Sequence, residues 1–562
     1  MMTTFLSLYL SLTPTAEACG GFFCNGYDPI EQAGEVVVFE VDEDAQETTM
    51  HVQVDYTGPA EQFAWVVPVP ANPDTFITSE RLFTELDRVT QPVFQLLVDD
   101  DECDHDDTDT DADTDTDSDA DTDTDLDTGV VWEGVEVVST GRVGPYDQAV
   151  LRANDADVLV DWLQANGYAV PAELSPLLQP YVGAETHFLA LKLTKGEDTG
   201  ALSPLGLTYA GTTPGIPIGL TAVAATDDMP VRVYLMGARR GVPTNYLHVR
   251  LNPLWLPWER WYDTTAYDEV VGWAVDEAGG RAFVTSFASA TPKVTIYRDG
   301  DFDLEGLDQL TDPVAWFESL GSRGFDGTDE LLDVLLAILP PPAGVDAASF
   351  YNCPSCYQDD WDELAVTFDP VAATLALDEA IVQPRALAQD ILDRNAMVTR
   401  LDTLMSPHEM TVDPQFGFAP DMVEVPQTYT AELTIDCVDG DYDGAARRIL
   451  LPTGQELPLA SYDMAPPLEE ELRALSDHVA LVVEQLGTDG GSEVVADYSS
   501  ELDALGASTT TNAFGQPIQP GTETSDVSSA GGKGCGCAAA PSSLTWAVWL
   551  PLVGLVFGRR RA

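Results

Sequence analysis

The chain has 562 residues, 44% of them hydrophobic, which is enough to bury a core and excludes a wholly disordered polymer. Its 95 acidic residues against 25 basic ones leave a formal net charge of -70, which disfavours nucleic acid and anionic lipid as partners and favours cations. The length suits two to four ordinary domains or one large domain carrying insertions.

From the N-terminus, Phe5 to Leu12 is a short apolar stretch, and Ala16-Glu17-Ala18 before Cys19 has the small-x-small pattern of a secretory cleavage site. Residues 1–18 therefore read as a signal peptide. Cys19 and Cys24 lie close enough for a small disulfide loop in an exported chain. Gly34 to Val41 and Met50 to Tyr56 read as strands; in the second, His51 falls with Gln53 and Asp55 on a polar face and is expected to be exposed. Ala64 to Pro70 reads as a buried edge strand closed by prolines, and a helix with Leu82, Phe83, Leu86 and Val89 on one face follows.

From Asp99 to Thr128 aspartate alternates with threonine, alanine or serine, and so few core-forming residues predict a disordered insertion. Carboxylates also suit calcium, but the glycine that turns a calcium loop is absent, and a solvated spacer is the preferred reading. Val130 to Ser139 is strand-like. Asp155 caps a helix burying Val158, Leu159, Trp162 and Leu163, and Asn166-Gly167 stops it. Strands are expected at Phe188 to Leu193, Leu220 to Ala224, Val231 to Met236 and Tyr246 to Leu251, with His248 facing outward. The aromatic run Leu254 to Tyr262 reads as core before it reads as a sugar- or peptide-stacking surface.

From Asp303 onward the pattern is more helical: Leu331 to Ile338, then Val371 to Asn395 broken near Pro384, then an amphipathic helix over Pro467 to Leu486. Ala507 to Gly534, rich in Gly, Ser and Thr, reads as a flexible stalk. The expected class is α+β, with a β-rich N-terminal half built on a largely antiparallel sheet and a more helical second half. The expected domains are an exported domain over 19–450 interrupted at 99–128, a helical extension over 451–506, the stalk, and a sorting segment over 535–562.

Cys353-Pro354-Ser355-Cys356 has the spacing of a dithiol oxidoreductase, but Ser349 to Asn352 is not a convincing preceding strand, so a structural disulfide is preferred to redox catalysis. Cys437 is left over unless Cys103 or a second chain takes it. Asp439-Gly440-Asp441-Tyr442-Asp443-Gly444 places oxygens at alternate positions as the first half of a calcium loop does. Its twelfth position is Leu450 instead of glutamate, which excludes an EF-hand; calcium at Asp439, Asp441 and Asp443 competes with a simple turn between strands. Asp299, Asp301, Asp303 and Glu305 make a looser version. None of the six histidines sits in a recognisable catalytic motif, and no other cofactor is implied.

At the other end, Cys535 and Cys537 precede an apolar run and three arginines. Ala538 to Gly558 has the roughly 20 residues that a membrane-crossing helix needs. This tail resembles the myxobacterial sorting signal MYXO-CTERM, and the resemblance implies processing near Cys535 and Cys537 by a membrane protease and display at the cell surface; a plain single-pass anchor is the alternative. The expected partners are thus the export machinery, a sorting protease and the membrane. The motifs Ala18 to Cys24, Phe63 to Pro70, Val143 to Asp147, Asn166-Gly167-Tyr168, and Thr399-Arg400-Leu401 through Pro414 resemble a bacterial family of exported proteins, domain-of-unknown-function family 2330, over about Ala18 to Cys437. That resemblance implies no catalytic residue. The expected function is a surface-displayed, non-enzymatic protein with cation or partner binding; the alternative is a surface hydrolase or dithiol redox protein whose site forms only in three dimensions.

Overall fold

The computed structural model describes residues 31–57, 64–70, 72–100, 134–168, 170, 174–183, 186–193, 203–260, 263–328, 330–365 and 367–507. The frame is a ten-stranded sheet. In spatial order its strands are Ser492–Asp497, Ala480–Leu486, Leu247–Leu251, Ala282–Ala290, Met397–Met405, Met229–Gly237, Glu31–Asp42, Glu47–Thr57, Leu205–Ala210 and Asp74–Ile77. Glu31–Asp42 with Met229–Gly237, and Leu247–Leu251 with Ala282–Ala290, pair in parallel; the other neighbours are antiparallel.

Both faces of the central strands are covered. Val37, Phe39, Leu235, Phe283 and Leu401 point into one core, while Val38, Tyr234, Met236 and Val398 point into another shared with the helices Glu80–Thr90 and Gln383–Arg394. The helix Thr264–Glu277 adds Val270, Val271 and Ala274 against Val249 and Val284. A strand buried on both sides has no solvent face, so runs such as Val36-Val37-Val38-Phe39 need no polar alternation.

Two four-stranded sheets flank this frame. One joins Ala64–Val69, His187–Leu193, Tyr146–Ala153 and Val135–Val143, and the helix Ala156–Ala165 packs on it through Leu159, Trp162 and Leu163. Asp155 caps that helix as expected, its carboxylate accepting from the Val158 N–H. The other joins Glu456–Leu459, Asp441–Leu450, Thr428–Val438 and Val93–Asp99. Between Leu307 and Val382 the chain is helical around Trp316, Phe325, Phe350 and Trp361, with the Phe350 and Trp361 rings stacked at 4.4 Å. A buried Arg385 ties this helical region to the frame, its guanidinium reaching Glu330 at 3.0 Å and Glu85 of the helix Glu80–Thr90 at 2.9 Å.

The structure thus bears out an α+β chain with a strand-rich first half and more helix later. Several elements differ from expectation. Leu220 to Ala224 is not a strand: a short helix, Ile218–Thr221, starts directly after Pro217. Only Leu468–Arg473 of the expected helix over Pro467 to Leu486 is helical, and the apolar run beyond it is the inner strand Ala480–Leu486. A short apolar run cannot be assigned by periodicity alone. Residues 451–506 therefore supply the strands Ala480–Leu486 and Ser492–Asp497 to the central sheet and Glu456–Leu459 to a flanking one. The α-helix expected over Val371 to Asn395 is indeed interrupted near Pro384: Pro370–Leu377 ends in a π-helical turn over Asp378–Val382, and Pro384 lies in the first turn of Gln383–Arg394.

One expectation about the membrane is corrected. Among the described residues no helix is long and apolar enough to cross a bilayer, so neither a transmembrane helix nor membrane attachment through one has support, and the signal-peptide reading gains none. Residues 1–18, Cys19, Cys24, Cys535, Cys537, most of the aspartate-rich segment and all but the first residue of the expected stalk lie outside the described residues.

Candidate functional site

The polar chemistry of the chain is concentrated inside the central sheet. Register pairs Arg232 with Asp402 and Tyr234 with Arg400 across neighbouring strands, and all four side chains face the helices Glu80–Thr90 and Thr264–Glu277. Arg400, 1% exposed, donates from Nε to Asp402 at 2.7 Å and from a terminal nitrogen to Asp87 at 2.9 Å. Arg232 repeats this with Nε to Asp402 at 2.7 Å and Nη1 to Asp87 at 2.7 Å. Two guanidiniums and two carboxylates thus close a ring that pins a helix to the sheet.

Burial alone would raise the Asp402 pKa, but the adjacent Arg400 and Arg232 outweigh it and hold the carboxyl well below its ordinary range. Asp268, on the second helix, is the odd charge. Burial and then Asp402 push its pKa up to about 6 against the pull of Arg232 and Arg400. Functional sites and structural ion-pair networks both shift pKa values in this way. The packing of the ring between sheet and helix makes it a structural clamp.

Two further constellations place a histidine between a carboxylate and a threonine. His51, 3% exposed, has Nδ1 at 2.9 Å from the Thr78 hydroxyl and Nε2 at 3.2 Å from Glu40. His248, also 3% exposed, has Nε2 at 2.9 Å from the Thr285 hydroxyl and Nδ1 at 3.2 Å from Glu484. Both histidines were expected on solvent faces and both are buried, because the sheet face that carries them is roofed by other elements.

At the second site Arg240 donates to the Thr285 oxygen at 3.0 Å, which turns the threonine hydrogen toward His248 and leaves the Nδ1–H for Glu484. Burial lowers the His248 pKa, so the ring is neutral near pH 7. The hydrogen bond from His248 in turn helps keep Glu484 below the usual carboxylate range. At the first site burial would raise Glu40, but His51 and Arg394 outweigh it and lower its pKa. Such Thr-His-Glu chains could in principle pass a proton. Here Thr78 is 6% exposed and Thr285 is buried as well.

The sequence candidates fall elsewhere. Cys353 and Cys356 are joined in a disulfide, and the Cys356 N–H donates to the Cys353 carbonyl at 2.9 Å, closing one turn between the helices Ala347–Asn352 and Gln358–Leu364. No strand leads into this turn, unlike the strand-then-helix setting of a dithiol oxidoreductase. Cys437 is disulfide-bonded too, with a partner outside the described residues.

Asp439 (φ 55°) and Gly440 (φ 86°) form the two-residue turn of the hairpin Thr428–Val438 and Asp441–Leu450, as Asp-Gly favours. Asp441 and Asp443 lie two residues apart on the second strand, where the Asp443 N–H donates to the Asp441 carboxylate at 3.1 Å. In the looser acidic loop Arg323 takes the place of a cation: its Nη1 donates to the carbonyls of Asp303 and Glu305 at 3.0 and 2.9 Å and to the Asp303 carboxylate at 3.3 Å. Among the described residues no three His, Cys, Asp or Glu side chains converge to hold a metal. Leu254, Leu256 and Trp258 are core, as expected of the aromatic run.

Fold and site together define a mixed α+β protein in which a doubly covered sheet is clamped by internal ion pairs. The chain belongs to a bacterial family, described as uncharacterized protein conserved in bacteria (DUF2330), whose model matches residues 13–304. No curated protein and no solved structure matches the chain.

Proposed function

We propose that the chain is an exported, non-enzymatic protein of an oxidising compartment, whose acidic surface binds cations or a protein partner. The observation that supports it most is the oxidised state of its cysteines, Cys353 with Cys356 and Cys437 in a further bridge, since such bonds are rare where glutathione keeps thiols reduced. Inside the sheet, the histidines, arginines and carboxylates are spent on one another across strands and helices, which suits a scaffold. In protein recovered from its own cells and alkylated without reductant, Cys353, Cys356 and Cys437 are expected to resist labelling. Alkylation of Cys353 and Cys356 would remove the argument for export.

A hydrolase is the second reading, and Thr78 favours it. This threonine sits between the strand Asp74–Ile77 and the helix Glu80–Thr90 with His51 and Glu40 behind it, a strand-to-helix setting where a nucleophile can meet free backbone N–H groups. Its burial weighs against substrate access. Thr78→Ala is expected to leave any p-nitrophenyl ester hydrolysis by the purified chain unchanged. A loss of about a hundredfold or more in the variant, with its unfolding midpoint unaltered, would establish the hydrolase.

A further inference from the structure

A cavity of about 600 Å³ opens between the C-terminal turn of the helix Glu80–Thr90, the end of the strand Ala282–Ala290 and the segment 424–427. Its size is in the range of small-molecule sites. Its charge inverts that of the chain. Overall, acidic residues outnumber basic ones 95 to 25, yet the cavity is lined by Arg88, Lys293 and Arg298 against the single carboxylate of Glu424.

Two details show how the cavity treats an anion. The chain's own Glu424 is held by the Lys293 ammonium at 2.7 Å and by the Ala290 backbone N–H at 3.2 Å, a carboxylate received by one cation and one backbone donor. Arg298 is exposed, and among the described residues its guanidinium makes no ion pair and no side-chain hydrogen bond, although its backbone N–H is bonded to Asp301. Exposed and solvated, its guanidinium keeps its donors available to an anion, whereas Arg88 beside it is already bonded to a carboxylate. Arg88 contributes a second guanidinium, partly engaged by Glu85 at 2.9 Å. Phe287, Val294, Val425 and Pro426 supply the apolar part of a wall that also carries Ser289, Thr295 and Gln427.

We propose that this cavity binds a small organic oxyanion with an apolar body, a carboxylate or a phosphate, its charged end on Arg298 and Lys293 and its body against Phe287 and Val294. The site is independent of the non-enzymatic reading above and of the Thr78 constellation. Guanidinium and ammonium groups beside a partly dry wall supply charge-assisted hydrogen bonds, and the net negative field outside makes the binding steeply dependent on those two side chains.

The test is isothermal titration of the full chain at low salt with benzoate and with phenyl phosphate, and with benzyl alcohol as the uncharged control. Saturable binding of at least one anion is expected, with no binding of the alcohol, and with affinity reduced about tenfold or more in Arg298→Ala/Lys293→Ala. Both side chains are exposed, so the variant should fold, and an unchanged circular dichroism melt checks that it does. The stronger of the two anions tells carboxylate from phosphate. Absence of saturation by both anions at about 10 mM, or equal affinity in wild type and variant, overturns the proposal.

Discussion

Arg400→Met is expected to lower the unfolding free energy by about 3–5 kcal/mol, the usual cost of breaking a buried ion pair by removing one partner. The variant removes one of the two guanidiniums that neutralise Asp402 and Asp87. Asp402 is then left buried with Arg232 as its only remaining cation in the ring. Methionine fills most of the vacated volume, so the loss reports charge more than cavity. Urea unfolding at neutral pH measures it. The partly exposed Asp87 gives an internal comparison: Asp87→Asn should cost clearly less, because water reaches that side of the ring. A midpoint shift for Arg400→Met worth under about 1 kcal/mol would mean that the ring does not clamp helix to sheet.

Glu35→Gln is expected to stabilise the protein at pH 8 and to remove a pH dependence that the wild type shows. Glu35, 5% exposed, lies in the central strand Glu31–Asp42, where burial raises its pKa from 4.5 to about 7, partly offset by a hydrogen bond from Gln32. A carboxyl whose folded pKa exceeds its unfolded one binds protons more tightly when folded. Its contribution to stability is therefore complete below about pH 4.5 and is lost as the pH rises through 7. The shift corresponds to roughly 3 kcal/mol of destabilisation once the group must ionise in place. Glutamine keeps the shape and an acceptor for Gln32 without the charge. The wild type should then lose stability between pH 5 and pH 8 while the variant stays nearly level over the same range. Asp268, raised to about 6, acts in the same direction and leaves the variant a smaller residual slope. Equal slopes in the two proteins would show that Glu35 does not ionise in place.

Much of the framework was legible where local chemistry decides. The Asp155 cap, the Asn166-Gly167 stop, the strands at Val231 and Phe188 and the Asp439-Gly440 turn each follow from a few adjacent residues. What was not legible depends on what covers a strand. His51 and His248 alternate with apolar neighbours as a half-exposed strand would, yet a second layer turns that polar face into an interior, and each histidine finds a threonine and a glutamate on other segments of the chain. The Arg400 ring is hidden for the same reason, since its members span residues 87 to 402 and meet only through strand register. The cavity of Arg298 could not be read at all. Its signal is the meeting of Arg88, Lys293 and Arg298, which exists only in three dimensions.

The strand Met397–Met405 lies between Ala282–Ala290 and Met229–Gly237, two strands that precede it by more than a hundred residues. The segment the family model matches ends at 304, so it holds both banks of this gap and not the strand that closes it. During synthesis, every copy passes through a stage in which two apolar half-sheets are formed or forming while their facing edges have nothing to pair with. Open edges of that kind invite pairing between molecules, and closing them late is slow because the contacts are so remote in sequence. The boundary of likeness is therefore not the boundary of folding: a fragment cut at 304 would carry the recognisable sequence and lack the keystone that makes its sheet continuous.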